Sequence, residues 1–122
     1  MEFKNYYELL SASRSLYKSL KKCHFPFLKQ DIIFNSKGFH HLLYDGLGKA
    51  RNNKERIRRL KLLPLVIFVI ENAQYVYSYK KIKNIEYWVL KDRINNSNRK
   101  IIVILRKIGS GEIQFYSVWD EI

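Results

Sequence analysis

Two adjacent histidines followed by a strongly basic segment are the residues of this chain best suited to chemistry. Residues 39–61 read FHHLLYDGLGKARNNKERIRRLK, where His40 and His41 precede seven Lys/Arg and one Glu between positions 49 and 61. An imidazole can accept or donate a proton near neutral pH. A cluster of Lys and Arg can hold polyphosphate. Together they indicate a site that binds RNA, and the histidines suggest that it also cleaves it.

Cleavage of RNA without a metal ion needs a base, an acid and groups that stabilise the charged phosphorane. The chain has three histidines, His24, His40 and His41. Neighbours in a helix point about 100° apart. The apolar residues around the pair therefore place His41 at a cleft edge and His40 toward solvent. The alternative is that these are ordinary surface histidines, with His24 acting as a helix cap.

Arginines of the basic segment are the predicted phosphate ligands. Arg56 and Arg59 are three residues apart and share a helix face, while Arg51 lies in the polar loop just before that helix. A planar guanidinium suits phosphate better than an ammonium group does. We therefore expect these three arginines to bind RNA phosphate, with Lys49 and Lys54 beside them. The alternative is a solvated helix face without function.

Composition limits the class of protein. The chain has 122 residues, which predicts one domain, and 47% hydrophobic residues, which supply a core. Its formal net charge of +12 opposes folding by self-repulsion, so a polyanionic partner is expected. The single cysteine, Cys23, excludes an internal disulfide and a thiolate zinc site.

Targeting and cofactor signals are missing from the sequence. The first ten residues lack the apolar segment of a signal peptide, and the longest apolar run, 62–70, is too short to span a bilayer. A cytoplasmic protein without membrane contact is therefore expected. Acidic residues are scattered and no HExxH, Walker or GxGxxG motif occurs, which predicts no metal and no cofactor.

Helical patterns dominate the first part of the chain. Apolar spacing predicts an amphipathic helix over residues 4–23, and Pro26 limits its extension. A short extended segment at 31–34 precedes a helix that begins at 35 or 36 and ends near 44. A third helix begins at 52 or 53. Pro64 is expected to begin another helix, although residues 66–70 would also suit a buried strand.

Strand patterns dominate the rest. Alternation and β-branched content predict four strands with a turn at residues 109–111, and sequential strands favour an antiparallel meander. The predicted fold is α+β, with N-terminal helices followed by a curled four-stranded antiparallel sheet. Its many aromatic residues suit sheet packing, and any that face outward suit stacking on bases. The four strands lie near residues 75–79, 85–90, 100–107 and 113–119.

Several short motifs occur in an order that resembles a nuclease family. They are FHHLL at 39–43, a basic loop ending in Arg51, ERIRRLKLLP at 55–64, YW at 87–88, IIVIL at 101–105 and FYSV at 115–118. Over residues 31–118 this resembles the phage-associated nuclease domains related to barnase, EndoU, the tRNase colicins and RelE. The resemblance implies a single nuclease-like domain over 1–122 with a barnase- or RelE-like sheet, in which 1–29 is an N-terminal helical flank.

The resemblance implies a metal-independent endoribonuclease, often a toxin of a toxin–antitoxin or phage-conflict system. Its partners would be RNA (tRNA, mRNA or rRNA) and an acidic antitoxin or inhibitor. Attack by a ribose 2′-hydroxyl would leave a 2′,3′-cyclic phosphate. The implied catalytic residues are His41, Arg51, Ser117 and Tyr116, beside the predicted RNA-binding set of Lys49, Lys54, Arg56, Arg59 and His40.

The sequence departs from that family in one respect. No second histidine falls in the sheet, so Tyr116 or an arginine would have to share the acid–base work. The alternative function is therefore a non-catalytic, basic RNA-binding or ribosome-associated module.

Overall fold

A computed structural model describes residues 5–121 of the chain and has an α+β fold, as predicted. The helices come first and a curled sheet follows. The sheet has six strands where four were predicted. Residues 1–4 and 122, which belong to the predicted flank and domain, lie outside the described residues. The elements are α1 (Tyr6–Leu20), β1 (Lys22–Phe25), β2 (Gln30–Ile33), α2 (Ser36–Leu43), α3 (Asn53–Glu71), β3 (Ser78–Ile82), β4 (Ile85–Arg93), β5 (Lys100–Ile108) and β6 (Gln114–Glu121).

The sheet extends the predicted meander by two strands. Its order is β1-β2-β6-β5-β4-β3, and β3 to β6 form the antiparallel meander that the sequence predicts. The added strands form an antiparallel hairpin, and β2 joins β6 in parallel where Ile33 lies opposite Gln114. Of the predicted helical flank over 1–29, the described residues 5–29 contain α1 followed by β1.

The first helix is shorter than predicted. Asn5 caps it by accepting a hydrogen bond from the Glu8 amide at 2.9 Å. It ends at Leu20 because Lys21 leaves the helical region at φ 48° and the chain enters β1. Its buried face packs on the core through Leu9 and Tyr17.

Pro64 lies inside one continuous helix, so the predicted restart of the chain there is wrong, as is a strand over 66–70. A proline within a helix removes one backbone hydrogen bond and crowds the preceding turn. Leu60, Leu63, Val66 and Ile70 are all at most 1% exposed. Burial of this apolar stripe, which continues across the proline, outweighs the local cost. None of the helices within residues 5–121 is long and apolar enough to cross a membrane.

Strand β6 contains a β-bulge that changes the direction of one side chain at the end of the sheet. Ile104 lies opposite Ser117 and Leu105 lies opposite Phe115, which leaves Tyr116 as the extra residue of β6. Side chains alternate along a strand, so the buried Leu105 faces the helices while Arg106 faces the other side. The bulge re-aims the Tyr116 side chain toward that second face.

The edge of β6 beyond β2 is covered by two arginines of α3. Arg58 donates to the Asp120 carbonyl at 2.8 Å, and Arg59 donates to the Val118 carbonyl at 3.3 Å. The buried Asp120 carboxylate also pairs with Arg58 at 2.5 Å and with Arg99. These bonds satisfy edge carbonyls and fix the start of α3 beside β6, which positions Arg59.

Gly38 allows α2 to lie directly on β6. A Cβ atom at this position would lie 2.5 Å from the Tyr17 hydroxyl and 2.7 Å from the Phe115 carbonyl oxygen. We expect Gly38→Ala to lower the free energy of unfolding by ~1–3 kcal/mol, because the backbone of β6 cannot move away without strain. Denaturant unfolding measures it. In Gly46→Ala, where no atom lies within 4 Å, the change should stay within about 0.5 kcal/mol. Equal stabilities of the two variants would contradict this packing.

Candidate active site

Helix α2 presents its two histidines differently. Asn35 caps the helix by accepting hydrogen bonds from the Lys37 and Gly38 amides at 3.1 and 3.3 Å. The helix buries its apolar side, so His41 is half-buried and His40 is exposed. This placement agrees with the helix-face argument from the sequence.

The His41 ring lies against Tyr116, the bulge residue of β6. Their ring centroids are 4.3 Å apart. On the same Tyr116 ring lies the Arg106 guanidinium, with its central carbon 4.2 Å from the centroid, and Tyr87 meets the ring edge-on at 5.9 Å. An imidazole, a phenol and a guanidinium therefore share one end of the sheet.

Arg106 was not predicted from the sequence. It follows the apolar run of β5, where it reads as the polar end of a strand. Strand alternation does place Arg106 on the face opposite the core. That it meets Tyr116 depends on the bulge, which a single sequence does not reveal.

Arg51 reaches His41 because the loop after α2 folds back. The Asp45 carboxylate accepts hydrogen bonds from the Leu47 and Lys49 amides at 2.9 and 3.0 Å, and these bonds lower its pKa. The Arg51 amide then donates to the Leu43 carbonyl at 2.9 Å, and its Nε donates to the His41 carbonyl at 3.1 Å. The predicted pair of Arg51 and His41 is thus brought together.

Arg59 and Ser117 are also brought together, but Ser117 is not open to a ligand. The Arg59 guanidinium donates to the Ser117 hydroxyl at 3.1 Å and to the Glu55 carboxylate at 2.8 Å. Ser117 is only 4% exposed. Its hydroxyl therefore orients Arg59. Direct contact of this hydroxyl with phosphate, as predicted, would require Arg59 to move.

The remaining predicted RNA-binding residues divide between packing and surface roles. Arg56 donates to the Leu43 carbonyl at 3.0 Å and to the Tyr6 hydroxyl at 3.2 Å, and it lies over the Tyr44 ring. Arg56 therefore ties α3 to α2 and α1. Lys49 and Lys54 are exposed at the loop and at the start of α3.

A cleft of about 460 Å³ opens beside the Tyr116 ring. Both histidines line it, although they point in different directions along the helix; His40 also stacks on Tyr44 with ring centroids 4.3 Å apart. Two neighbouring helix residues whose side chains point about 100° apart can therefore line the same cleft. The lining residues are Ser36, Lys37, His40, His41, Asp45, Gly46, Gly48, Arg106 and Tyr116.

Burial and surrounding positive charge lower the pKa of His41. Desolvation is the largest cause, followed by repulsion from Arg51, Arg59 and Arg106, and then from His40. Each of these effects disfavours the protonated imidazole. These effects favour the neutral imidazole, which is the form that acts as a base.

The arginines around His41 carry more positive charge than their neighbours neutralise. Burial and the nearby Arg59 lower the pKa of Arg51, an effect that Glu55 and Asp45 partly oppose. Hydrogen bonding to Arg59 lowers the pKa of Glu55, which favours the ionised carboxylate. This carboxylate is already paired with Arg59. Of the three arginines around His41, Arg106 lines the cleft, and an anion bound beside it would reduce the repulsion among the guanidiniums.

Two buried nitrogen atoms of the site make no hydrogen bond within residues 5–121. They are Nδ1 of His41 and Nε of Arg106. In many catalytic histidines a carboxylate or carbonyl orients the second ring nitrogen. Here the His41 ring is held instead by packing on Tyr116 and by the bond from Arg51 to its backbone carbonyl.

His24 lies elsewhere in the fold. It is on β1, more than half exposed, and its Nδ1 is 3.7 Å from the Asp31 carboxylate across the β1–β2 hairpin. It does not line the cleft. Across residues 5–121 no group of three or more His, Cys, Asp or Glu side chains is arranged to hold a metal ion.

Comparison with known proteins identifies no relative. No protein-family model, curated protein or solved structure matches this chain. The resemblance to the barnase- and RelE-related nucleases therefore stays a prediction from the sequence.

Proposed function

We propose that this chain is a metal-independent endoribonuclease. The observation that carries the proposal is the half-buried His41, which packs on Tyr116 beside Arg106 and accepts a hydrogen bond from Arg51 at its carbonyl. A base that is ready at neutral pH, held within a cluster of guanidiniums, suits attack by a hydroxyl group on a phosphodiester.

His41 begins the proposed reaction by taking the proton of a ribose 2′-hydroxyl. The 2′-oxygen attacks the adjacent phosphorus, and the bond from phosphorus to the 5′-oxygen breaks. The 5′-oxygen keeps the electron pair and receives a proton. The products are a 2′,3′-cyclic phosphate and a 5′-hydroxyl. The extra negative charge on the phosphorane is stabilised by the guanidiniums around His41, since arginine matches the geometry of phosphate oxygens.

A second group must supply the proton to the leaving 5′-oxygen. His40 and Tyr116 both line the cleft that His41 borders. His40 was predicted as a phosphate ligand and Tyr116 as a catalytic residue, and either side chain can donate a proton. Because both side chains line this cleft, either His40 on α2 or Tyr116 in the bulge can serve as the acid. A second histidine in the sheet is then not required.

The pH dependence of cleavage tests the role of His41 as the base. We expect kcat/KM for a short RNA in EDTA to rise with pH and to reach its half-maximal value below pH 6.5, the ordinary pKa of histidine, because the folded protein lowers this pKa. In Arg106→Gln the midpoint should move upward, since one repelling charge is lost. The shift should be partial, because burial is the larger cause. A rate that falls as pH rises through this range would contradict the assignment.

The second candidate function is a basic RNA-binding module without catalysis. It is favoured by the Nδ1 of His41, which makes no hydrogen bond to a carboxylate or other group within residues 5–121. This alternative predicts RNA binding that weakens steeply with added salt, and no RNA product over the whole pH range.

The formal charge of +12 supports a partner as well as a substrate. An acidic inhibitor or antitoxin would be attracted to the same guanidinium cluster that is proposed to hold RNA phosphate. On the resemblance to the nuclease family, we propose that the enzyme is a toxin of a toxin–antitoxin or phage-conflict system that acts on tRNA, mRNA or rRNA. A purified acidic partner should block cleavage and RNA binding together.

A further inference from the structure

A second cleft, of about 570 Å³, lies between α1 and α2. We refer to it as the aromatic pocket. It is lined by the rings of Tyr17, Phe34 and Phe39, of which Tyr17 packs on Phe34 and on Phe39 with centroids 5.8 and 5.2 Å apart. The volume falls within the range of small-molecule sites, about 300–1,000 Å³. The pocket is thus lined by apolar, aromatic side chains that belong to the packed core.

The rim of the aromatic pocket is basic. Arg14 and Lys18 are four residues apart on α1 and so lie on one face, and Lys21 follows at the end of the helix. All three are exposed, and the Arg14 guanidinium carbon lies 5.5 Å from the centroid of the Phe39 ring. None of the residues that line the pocket carries a carboxylate. A ligand with a flat apolar part and negative charge fits this combination.

The aromatic pocket is adjacent to the cleft at His41. Ser36 and His40 line both. His40 stacks on Tyr44, which lines the aromatic pocket, while the next residue, His41, packs on Tyr116 in the other cleft. A chain bound across His40 would therefore enter both clefts.

We propose that the aromatic pocket binds an unstacked nucleobase of a single-stranded RNA, next to the phosphodiester held at His41. The bases of single-stranded RNA stack on aromatic side chains and on arginine, while the backbone follows basic residues. Arg14, Lys18 and Lys21 would hold the phosphate that flanks this base. The placement of the neighbouring phosphodiester at His41 rests on the proposed ribonuclease function. Binding of the base in the aromatic pocket does not require cleavage.

Crosslinking of a non-cleavable RNA tests the proposal. The probe is a 2′-O-methyl tetranucleotide with 4-thiouridine at one position at a time, irradiated with the full-length protein and mapped by mass spectrometry. We expect crosslinks to peptides that contain Phe34, Phe39 or Tyr44 for one probe position, and to the Tyr116 peptide for a neighbouring position. Crosslinks that avoid the pocket peptides at every position would overturn the proposal.

Matched charge reversals provide the second measurement. The variant Arg14→Glu with Lys18→Glu changes the pocket rim, and Lys80→Glu with Lys81→Glu makes the same charge change on exposed positions of β3. Loss of one stacked base and its phosphate should weaken binding of the tetranucleotide by about tenfold or more beyond the control. Equal losses in the two variants, with both folded by circular dichroism, would overturn the pocket.

Cleavage separates this proposal from the proposed function. Extending a dinucleotide substrate by one nucleotide on the pocket side should raise kcat/KM by about tenfold in the wild type, and the rim variant should lose that gain while it still cleaves the dinucleotide. Crosslinks in the pocket without cleavage of any RNA would support the pocket and reject the ribonuclease. Cleavage without any gain from the added nucleotide would reject the pocket alone.

Discussion

Replacing His41 with alanine is expected to lower RNA cleavage by at least ~10²-fold, the usual scale for loss of a general acid or base. His41 packs on Tyr116, and burial and the surrounding arginines lower the pKa of its imidazole, which favours the neutral form. The fold should survive, because the ring is half-buried and its buried Nδ1 makes no hydrogen bond within the described residues. Initial rates on a short RNA in EDTA measure the loss.

His24→Ala is the matched control for this substitution. It removes an imidazole that pairs with Asp31 on the β1–β2 hairpin and does not border the cleft. Its cleavage rate should stay within about twofold of the wild type, consistent with the small effects of surface substitutions. RNA binding by His41→Ala should persist, because the arginines remain. A folded His41→Ala protein that cleaves at the wild-type rate would reject His41 as the base.

Replacing Arg106 with alanine is expected to cost about 10²-fold in kcat, the scale for removing one group that stabilises charge in a transition state. The guanidinium lies over the Tyr116 ring beside His41 and lines the cleft, and its buried Nε makes no hydrogen bond within residues 5–121. Single-turnover cleavage measures the chemical step directly.

Lys107→Ala controls for the loss of one positive charge. Lys107 follows Arg106 on β5, so its side chain faces the opposite side of the sheet. Arg106→Lys should recover only part of the rate, because an ammonium group lacks the planar fork of a guanidinium. If the alanine variants of Arg106 and Lys107 lost activity equally, the effect would be one of net charge and the assigned role of Arg106 would fail.

The sequence predicts most of the fold because its periodic patterns are strong. The meander from β3 to β6 follows from alternation and from the glycine turn at 109–111. The strand β1 was missed because Lys22 and Cys23 continue the basic and apolar spacing of α1, and a left-handed backbone at Lys21 ends the helix instead. Pro64 was misinterpreted because burial on both sides of it, a tertiary effect, decides the helix.

The sequence predicts the residue types of the site better than their roles. The structure brings four of the predicted residues close together at one end of the sheet, namely His41, Arg51, Arg59 and Tyr116. Roles depend on contacts that sequence spacing does not contain. Arg56 shares a helix with Arg59, yet its guanidinium donates hydrogen bonds to the Leu43 carbonyl and the Tyr6 hydroxyl.

Residues far apart in sequence meet only because the sheet and α3 bring them together. Ser117 lies 58 positions from Arg59 and its hydroxyl accepts the Arg59 hydrogen bond. Arg106 and His41 both contact Tyr116, the extra residue of the β-bulge. Asp120 helps to fix α3 by accepting hydrogen bonds from Arg58. These are long-range contacts, and a single sequence carries no signal for them.

Incubation of the purified protein with total RNA in EDTA, followed by mapping of the new ends, tests the ribonuclease most directly. We expect discrete fragments that carry 2′,3′-cyclic phosphate or 3′-phosphate ends on one side and 5′-hydroxyl ends on the other. These fragments should be lost in His41→Ala and retained in His24→Ala. Intact RNA, with folded protein that binds it, would contradict the ribonuclease and favour the binding module.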